Sequence, residues 1–303
     1  MIITNYFDVP KPFLEAIKKM SWCPNPNKLY VTQLGQPPMI RHLQIKYWNE
    51  MEVDASDFFY RLFGQAMHHV LEDAAKDLPD VVVEKSYVIP AEVFGIEISM
   101  RIDWIEGTPY ILIGEAKTAG VMSIKNGVKD DWIYQANVYR YAINLIDKVL
   151  VKKLKAFVLL RDWIPSKLRE DGYPRTPFVE LDIPVLPIEE VHKWIQERVI
   201  IHLSTPVPQC TMEEKWQDPD HYAVMEKGKV KAIAATVVGE DGNRRNIESK
   251  EEAEEIIHAK GLTKEYEKGK IYIATRIGEP RHCLFYCDCR DICKKVNGDF
   301  NAK

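Results

Sequence analysis

The sequence predicts an α/β protein: a mixed central sheet flanked by helices, then a small α+β insertion and a cysteine-rich C-terminal tail. Three observations predict it. Between residues 57 and 203 the periodicity reads helix, three strands, helix, strand, helix, an order that suits a mixed sheet covered by helices. After residue 204 the pattern changes to short strands around an acidic helix. Cys283, Cys287, Cys289 and Cys293 then crowd the end of the chain. The expected divisions are a leader over 1–56, a core over 57–203, an insertion over 204–282 and a tail over 283–303.

Within the leader, one short helix is expected around Pro12–Met20, followed by an irregular stretch rich in proline (Pro24, Pro26, Pro37, Pro38). Asp57 reads as a helix N-cap, because Phe58, Leu62, Phe63, Val70, Leu71 and Ala74 recur behind it at helical spacing. That helix should end near Asp77–Pro79. Strands are expected at Val81–Ile89, Val93–Ile105 and Tyr110–Lys117, with a turn at Gly107-Thr108-Pro109. Residues 128–147 have a helical period, Leu154–Leu160 reads as a buried strand, and Pro187–Leu203 as a helix. In the insertion, strands are expected at Lys229–Val238 and Lys270–Arg276, around a helix at Ser249–His258.

The 303 residues are 46% hydrophobic and 28% charged, with a net charge of −4. These are ordinary globular values, so disorder of the bulk is not expected. The slight acidity excludes a generally basic nucleic-acid coat, and any basic contacts have to be local. Residues 1–20 show no signal-peptide pattern, and no stretch is long and apolar enough for a membrane span, so a cytoplasmic protein with no membrane partner is expected. In a reducing compartment the six cysteines read as metal ligands or buried thiols rather than disulfides.

The informative stretch runs from Arg101-Ile-Asp103-Trp to Glu115-Ala-Lys117. Side chains alternate along a strand, so Glu115 and Lys117 share a face. The turn at Gly107 can fold Asp103 back beside them. Two carboxylates offer hard oxygen ligands to Mg²⁺ or Mn²⁺, and a nearby lysine can orient water or offset developing charge. Glu-x-Lys alone is also an ordinary solvated strand face. The apolar run Ile111-Leu112-Ile113 leading into it argues for a core strand, where a charge needs a reason.

Asp103…Glu115-Ala-Lys117 resembles the core motif of the PD-(D/E)XK nucleases, and the order of elements resembles their restriction-endonuclease-like core. Gly64-Gln-Ala-Met-His68 and Gln135-Ala-Asn-Val-Tyr139 resemble the Gly-x-x-x-His and Gln-x-x-x-Tyr elements of the RecB-like branch. Ile102 stands where the motif name has proline. The resemblance covers roughly residues 57–160. It implies a metal held by His68, Asp103, Glu115 and the backbone carbonyl of Ala116. It also implies catalytic roles for Asp103, Glu115 and Lys117, with Gln135 and Tyr139 beside them. His69 rivals His68, but the spacing from Gly64 favours His68.

The cysteine tail resembles that of iron–sulfur RecB-like nucleases. This implies a [4Fe–4S] cluster on Cys210, Cys283, Cys287 and Cys293, although the spacing departs from Cys-x-x-Cys before the last gap. Structural Zn²⁺ is the second reading and free thiols the third. Val31-Thr-Gln-Leu…Pro37-Pro38…Ile40-Arg41, followed by Glu52-Val-Asp54-Ala-Ser56-Asp57, resembles nuclease-like proteins of tailed bacteriophages, a resemblance that runs across nearly the whole chain and implies a place in phage replication or recombination, or in breakdown of host DNA. Arg41, Lys46, Arg61 and Lys125 are candidates to line a DNA path. Trp48, Trp132 and Tyr134 are candidates to stack bases, while Trp104 reads as core.

The expected activity is an exonuclease on free, single-stranded DNA ends, working with a helicase or recombinase. A structure-selective or nicking endonuclease and a non-catalytic DNA-binding module are the alternatives.

Overall fold

The computed structural model describes residues 1–239 and 242–298. The chain forms two compact units, Met1–Gln209 and Cys210–Lys303.

In the first unit the elements are β1 (Ile2–Thr4), α1 (Lys11–Met20), β2 (Lys28–Tyr30), α2 (Val31–Leu34), α3 (Pro38–Tyr47), β3 (Glu52–Asp54), α4 (Phe59–Ala75), β4 (Val81–Ile89), α5 (Ala91–Phe94), β5 (Glu97–Glu106), β6 (Leu112–Ala119), α6 (Asp130–Asp147), β7 (Lys153–Leu160), β8 (Phe178–Ile183) and α7 (Ile188–Leu203). Strands β2, β4, β5, β6, β7 and β8 form one mixed sheet. β4 runs antiparallel along β5 from Val81↔Glu106 to Ile89↔Ile98. The opposite edge of β5 is divided. β2 takes residues 97–99 in parallel, and β6 takes only Trp104↔Gly114 to Glu106↔Leu112 in antiparallel. Past Trp104 the two strands part, and β6 continues against β7 alone as far as Ala119↔Leu160. This fork positions everything described below.

The sheet is flanked by helices, as the sequence predicts. Helix α6 packs on β4, β6 and β7, and α7 packs on α6. Their apolar sides close a core around Ile98, Ile102, Ile105, Ile113, Val138, Ile143, Ala156, Val158 and Ile195, all fully or nearly fully buried. Two buried polar residues of α6 satisfy loop backbone that would otherwise be orphaned. Asn137 donates to Ile133 O and Pro184 O and accepts from Leu186 N. Arg140 donates to Val151 O and Leu186 O. At the helix C-terminus Asp147 sits against the dipole, and it is held by Lys85 (3.1 Å) and the Tyr87 hydroxyl (2.5 Å) of β4.

Several expectations are corrected. The leader is not irregular: β2 joins the main sheet and Pro38–Tyr47 is a helix started by its own proline. It lies in the first unit together with the core. Asp57 is not an N-cap. Asp54 caps a short 3₁₀ turn over Ala55–Phe58 by accepting from Ser56 N, and α4 starts only at Phe59. Val93 and Phe94 lie in α5, which Gly95 ends at φ +82°, so β5 starts at Glu97. β8 was not anticipated, because Phe178–Ile183 is an edge strand with exposed alternate positions and no continuous apolar run. Finally, α4 has the expected period but no buried residue. Phe63, Val70 and Leu71 are largely exposed, because periodicity identifies an apolar face without saying what covers it.

The second unit contains β9 (His221–Glu226), β10 (Thr236–Val238), β11 (Arg244–Asn246), α8 (Lys250–Ala259), α9 (Thr263–Glu267), β12 (Ile271–Arg276), α10 (Arg281–Phe285) and α11 (Arg290–Asn297). β9 pairs antiparallel with β12, and β10 with β11. Val224, Ile247, Ala253, Ile257 and Ile271 form its core. Ser249 caps α8 by accepting from Glu252 N at 3.0 Å. From Cys210 onward the chain makes one unit that takes in the cysteine segment. The expected strand over 229–238 shortens to Thr236–Val238.

Gly114 sits at the last rung before the fork, and the Trp104 indole lies directly over it. A Cβ there would fall 2.0 Å from Trp104 Cε2. Gly114→Ala must therefore push the indole off Phe157, with which it now packs at a centroid distance of 4.8 Å. Chemical denaturation should report a loss of about 1–3 kcal/mol, the usual cost of overpacking.

Candidate metal centre

The fork leaves Ala116 without a partner strand on the β5 side. Its N–H instead donates to Asp103 Oδ2 at 2.6 Å. In an extended strand the N–H and C=O of one residue leave toward the same neighbour, so the Ala116 carbonyl also faces the fork. The other oxygen of Asp103, Oδ1, lies 3.2 Å from His68 Nδ1 on α4. The sequence-named His68, Asp103 and Ala116 thus meet at one carboxylate. His69 is exposed and pairs with Glu72.

Glu115, Lys117, Gln135 and Tyr139 meet beside them. Lys117 Nζ donates to Glu115 Oε1 at 2.6 Å and to Gln135 Oε1 at 3.0 Å. Gln135 Nε2 donates to Glu115 Oε1 at 2.7 Å and to the Tyr139 hydroxyl at 2.6 Å. The one-turn spacing of Gln135 and Tyr139 on α6 makes this possible. Tyr139 and Glu115 are almost completely buried, whereas Lys117 keeps some exposure.

The electrostatics are those of crowded negative charge. Burial, then the charge of Asp103, pushes the Glu115 carboxyl up from its ordinary range, and Lys117 opposes this. His68 is pushed up, first by its hydrogen bond to Asp103. Glu115 Oε2 is buried and has no hydrogen-bond partner. A buried carboxylate oxygen without a donor is costly, and a cation or a bound water would satisfy it.

Sequence reasoning missed Glu84. Among the described residues, His68, Glu84 and Asp103 are the one set of three whose donor atoms lie within 4.8 Å of one another. Glu115 lies next in register to Asp103 but outside that tight set. Nothing around Glu84 (Val83-Glu84-Lys85) marked it in the sequence, where it reads as an ordinary strand position.

Apart from Glu84, these groups line a cleft of about 830 Å³ that also exposes Trp22, Tyr30, Tyr60, Arg61 and Arg101, while Glu84 lines a second cavity that shares His68, Asp103 and Ala116 with it. The expected DNA-path and stacking residues are mostly elsewhere. Arg41 is buried and spends its guanidinium on the carbonyls of Asn25, Pro26 and Lys28. Lys46 and Lys125 do not line the cleft, while Arg61 does. Trp132 is core, and Tyr134 stacks on Trp194. Trp104 packs on Phe157 but stays partly exposed, outside the core the sequence places it in.

In the second unit the cysteines gather electrostatically. Burial, then Glu214, then Cys283, Cys293 and Cys287 push the Cys210 thiol up to about 12. Cys289 is buried and hydrogen-bonded to Cys287, whose thiol that hydrogen bond pushes down. No helix among the described residues is long and apolar enough to cross a membrane.

No family model matches the chain, and neither does any curated protein. A solved structure titled "Crystal structure of SSO0001" is similar at 18% identity with a TM-score of 0.45, over 63% of this chain and 84% of that one.

If these carboxylates hold a divalent ion, Mn²⁺ at about a hundred times its Kd should stabilise the fold by about 2.7 kcal/mol. Thermal unfolding should show the rise in wild type and none in Asp103→Asn. Equal rises in both would move the ion elsewhere.

Proposed function

We propose that the chain is a divalent-metal-dependent deoxyribonuclease with a RecB-like PD-(D/E)XK site. The observation that carries this reading is the convergence of Asp103, Glu115 and Lys117 with His68 at the strand fork, on the wall of an open cleft. Hard oxygen donors plus one imidazole suit Mg²⁺ or Mn²⁺, and a bound ion would lower the pKa of a water and clamp a phosphate. Asp103, Glu115, His68 and the Ala116 carbonyl are the proposed ligands.

The remaining residues act on geometry and charge. Lys117 is held by two acceptors, so its ammonium is fixed before any substrate arrives and can offset charge growing on a phosphoryl oxygen. Gln135 fixes both Lys117 and Glu115 and is itself fixed by Tyr139. These two are positioning residues. Arg61 and Arg101 supply local positive charge to a chain that is acidic overall, and Trp22 and Tyr60 expose rings on which unpaired bases can stack. Those rings favour a single strand. The resemblance of the motifs adds an enzyme acting at free single-stranded ends in phage replication or recombination, alongside a helicase or recombinase.

Cys210, Cys283, Cys287 and Cys293 are proposed to hold a structural [4Fe–4S] cluster, with Zn²⁺ as the alternative. Four thiolates at 2.3 Å from Zn²⁺ would put the sulfurs about 3.8 Å apart. Anaerobically purified protein should absorb near ~400 nm. A featureless visible spectrum with one zinc per chain would decide for Zn²⁺.

The activity is tested with end-labelled linear single-stranded DNA and closed circular single-stranded DNA, each with Mn²⁺ or EDTA. Loss of the linear strand only with Mn²⁺, reduced about a hundredfold or more by Lys117→Ala, is expected. Sparing of the circle marks an exonuclease, and cutting of the circle an endonuclease. No cleavage of either strand would leave a binding module.

A further inference from the structure

Glu84 occupies a place in the sheet that ordinary strand pairing does not explain. The β4–β5 ladder is in register at Val83↔Trp104 and again at Lys85↔Ile102, yet it skips the rung between, where Glu84 faces Asp103. Glu84 sits at φ +52°, in the left-handed region that a residue with a Cβ rarely adopts. Such strain persists only where the surroundings impose it. The Glu84 carboxylate stands with Asp103 and His68, within the 4.8 Å set of donor atoms. Burial pushes the Glu84 carboxyl up, and so does the charge of Asp103, while Arg101 opposes them. The Arg101 guanidinium pairs with Glu84 from a largely exposed position on the cleft. Arg101 and Asp103, two apart on β5, share a face.

We propose that Glu84 is a further ligand of the divalent ion at His68 and Asp103, and that Arg101 is the counter-ion it gives up when the ion arrives. The inference rests on the metal-site reading above and adds a residue and a consequence to it. In the metal-free protein Arg101 neutralises Glu84. An ion that takes the Glu84 carboxylate leaves Arg101 unpaired at the cleft wall, where its planar donors suit a backbone phosphate. Metal binding and phosphate binding are thereby coupled through one side chain. The buried, unpartnered oxygen of Glu115, next in register to Asp103, is a second and independent indication that a cation belongs here.

The test uses full-length protein freed of divalent ions, with Mn²⁺ binding followed by calorimetry. Glu84→Gln should weaken Mn²⁺ binding at least tenfold, while Arg101→Gln should tighten it severalfold. A Glu84 that serves only to hold Arg101 would leave both affinities unchanged, and that result overturns the proposal. Wild type that binds no Mn²⁺ would overturn the underlying metal site as well. The exposed Arg101→Gln keeps the test decisive if Glu84→Gln fails to fold: unchanged or weaker Mn²⁺ binding there counts against the proposal. Oligo(dT) binding, compared with Ca²⁺ and with EDTA, should show a Ca²⁺-dependent gain that Arg101→Gln reduces severalfold. An undiminished gain would overturn the release of Arg101.

Discussion

The constraint on which the site depends is the parting of β5 and β6 after one short antiparallel stretch. A paired strand has no backbone to spare. By ending its pairing at Trp104↔Gly114, β6 leaves the N–H of Ala116 facing an open wedge, and Asp103 fills it with a carboxylate. The wedge thus creates both a reason for a charged side chain inside the sheet and room for something to approach it. The close stacking of Trp104 on Gly114 marks the last closed rung, and β7 holds the far edge of β6 so that the fork does not collapse.

Charge is the second theme. Glu84, Asp103 and Glu115 bring three carboxylates into one region, with Lys117 and Arg101 as the lysine and arginine paired to them. Desolvated like charges are unfavourable unless compensated. The protein compensates in part through Gln135, Tyr139 and the ion pairs, and leaves Glu115 Oε2 without a donor. A structure selected for stability alone would have no use for this arrangement. It is the kind of local cost that a binding site retains, and it is carried by an α6 that is otherwise fastened by Asn137, Arg140 and Asp147.

Much of this was legible in the sequence. Strand alternation put Glu115 and Lys117 on one face, helical spacing put Gln135 beside Tyr139, and the distance from Gly64 chose His68 over His69. These are local regularities, and local regularities survive folding. What was not legible depended on tertiary context. Glu84 looks like any strand glutamate until the broken rung opposite Asp103 is seen. Arg41 looks like a surface arginine until the proline-rich loop closes over it and presents its carbonyls. β2 is too short to signal itself, and it exists because β5 offers a free edge over residues 97–99. The apolar period of α4 is legible and its exposure is not, since period alone does not supply a neighbour.

The central claim is that the fork gathers protein ligands around a cation. A crystal of the protein soaked in Mn²⁺, with data collected to show the anomalous signal of manganese, addresses it most directly. The account predicts a peak in contact with Asp103 and at least one of Glu115, Glu84 and His68, with the Ala116 carbonyl facing it. A manganese peak elsewhere on the surface, with Asp103 still bonded only to Ala116 and His68, would contradict it.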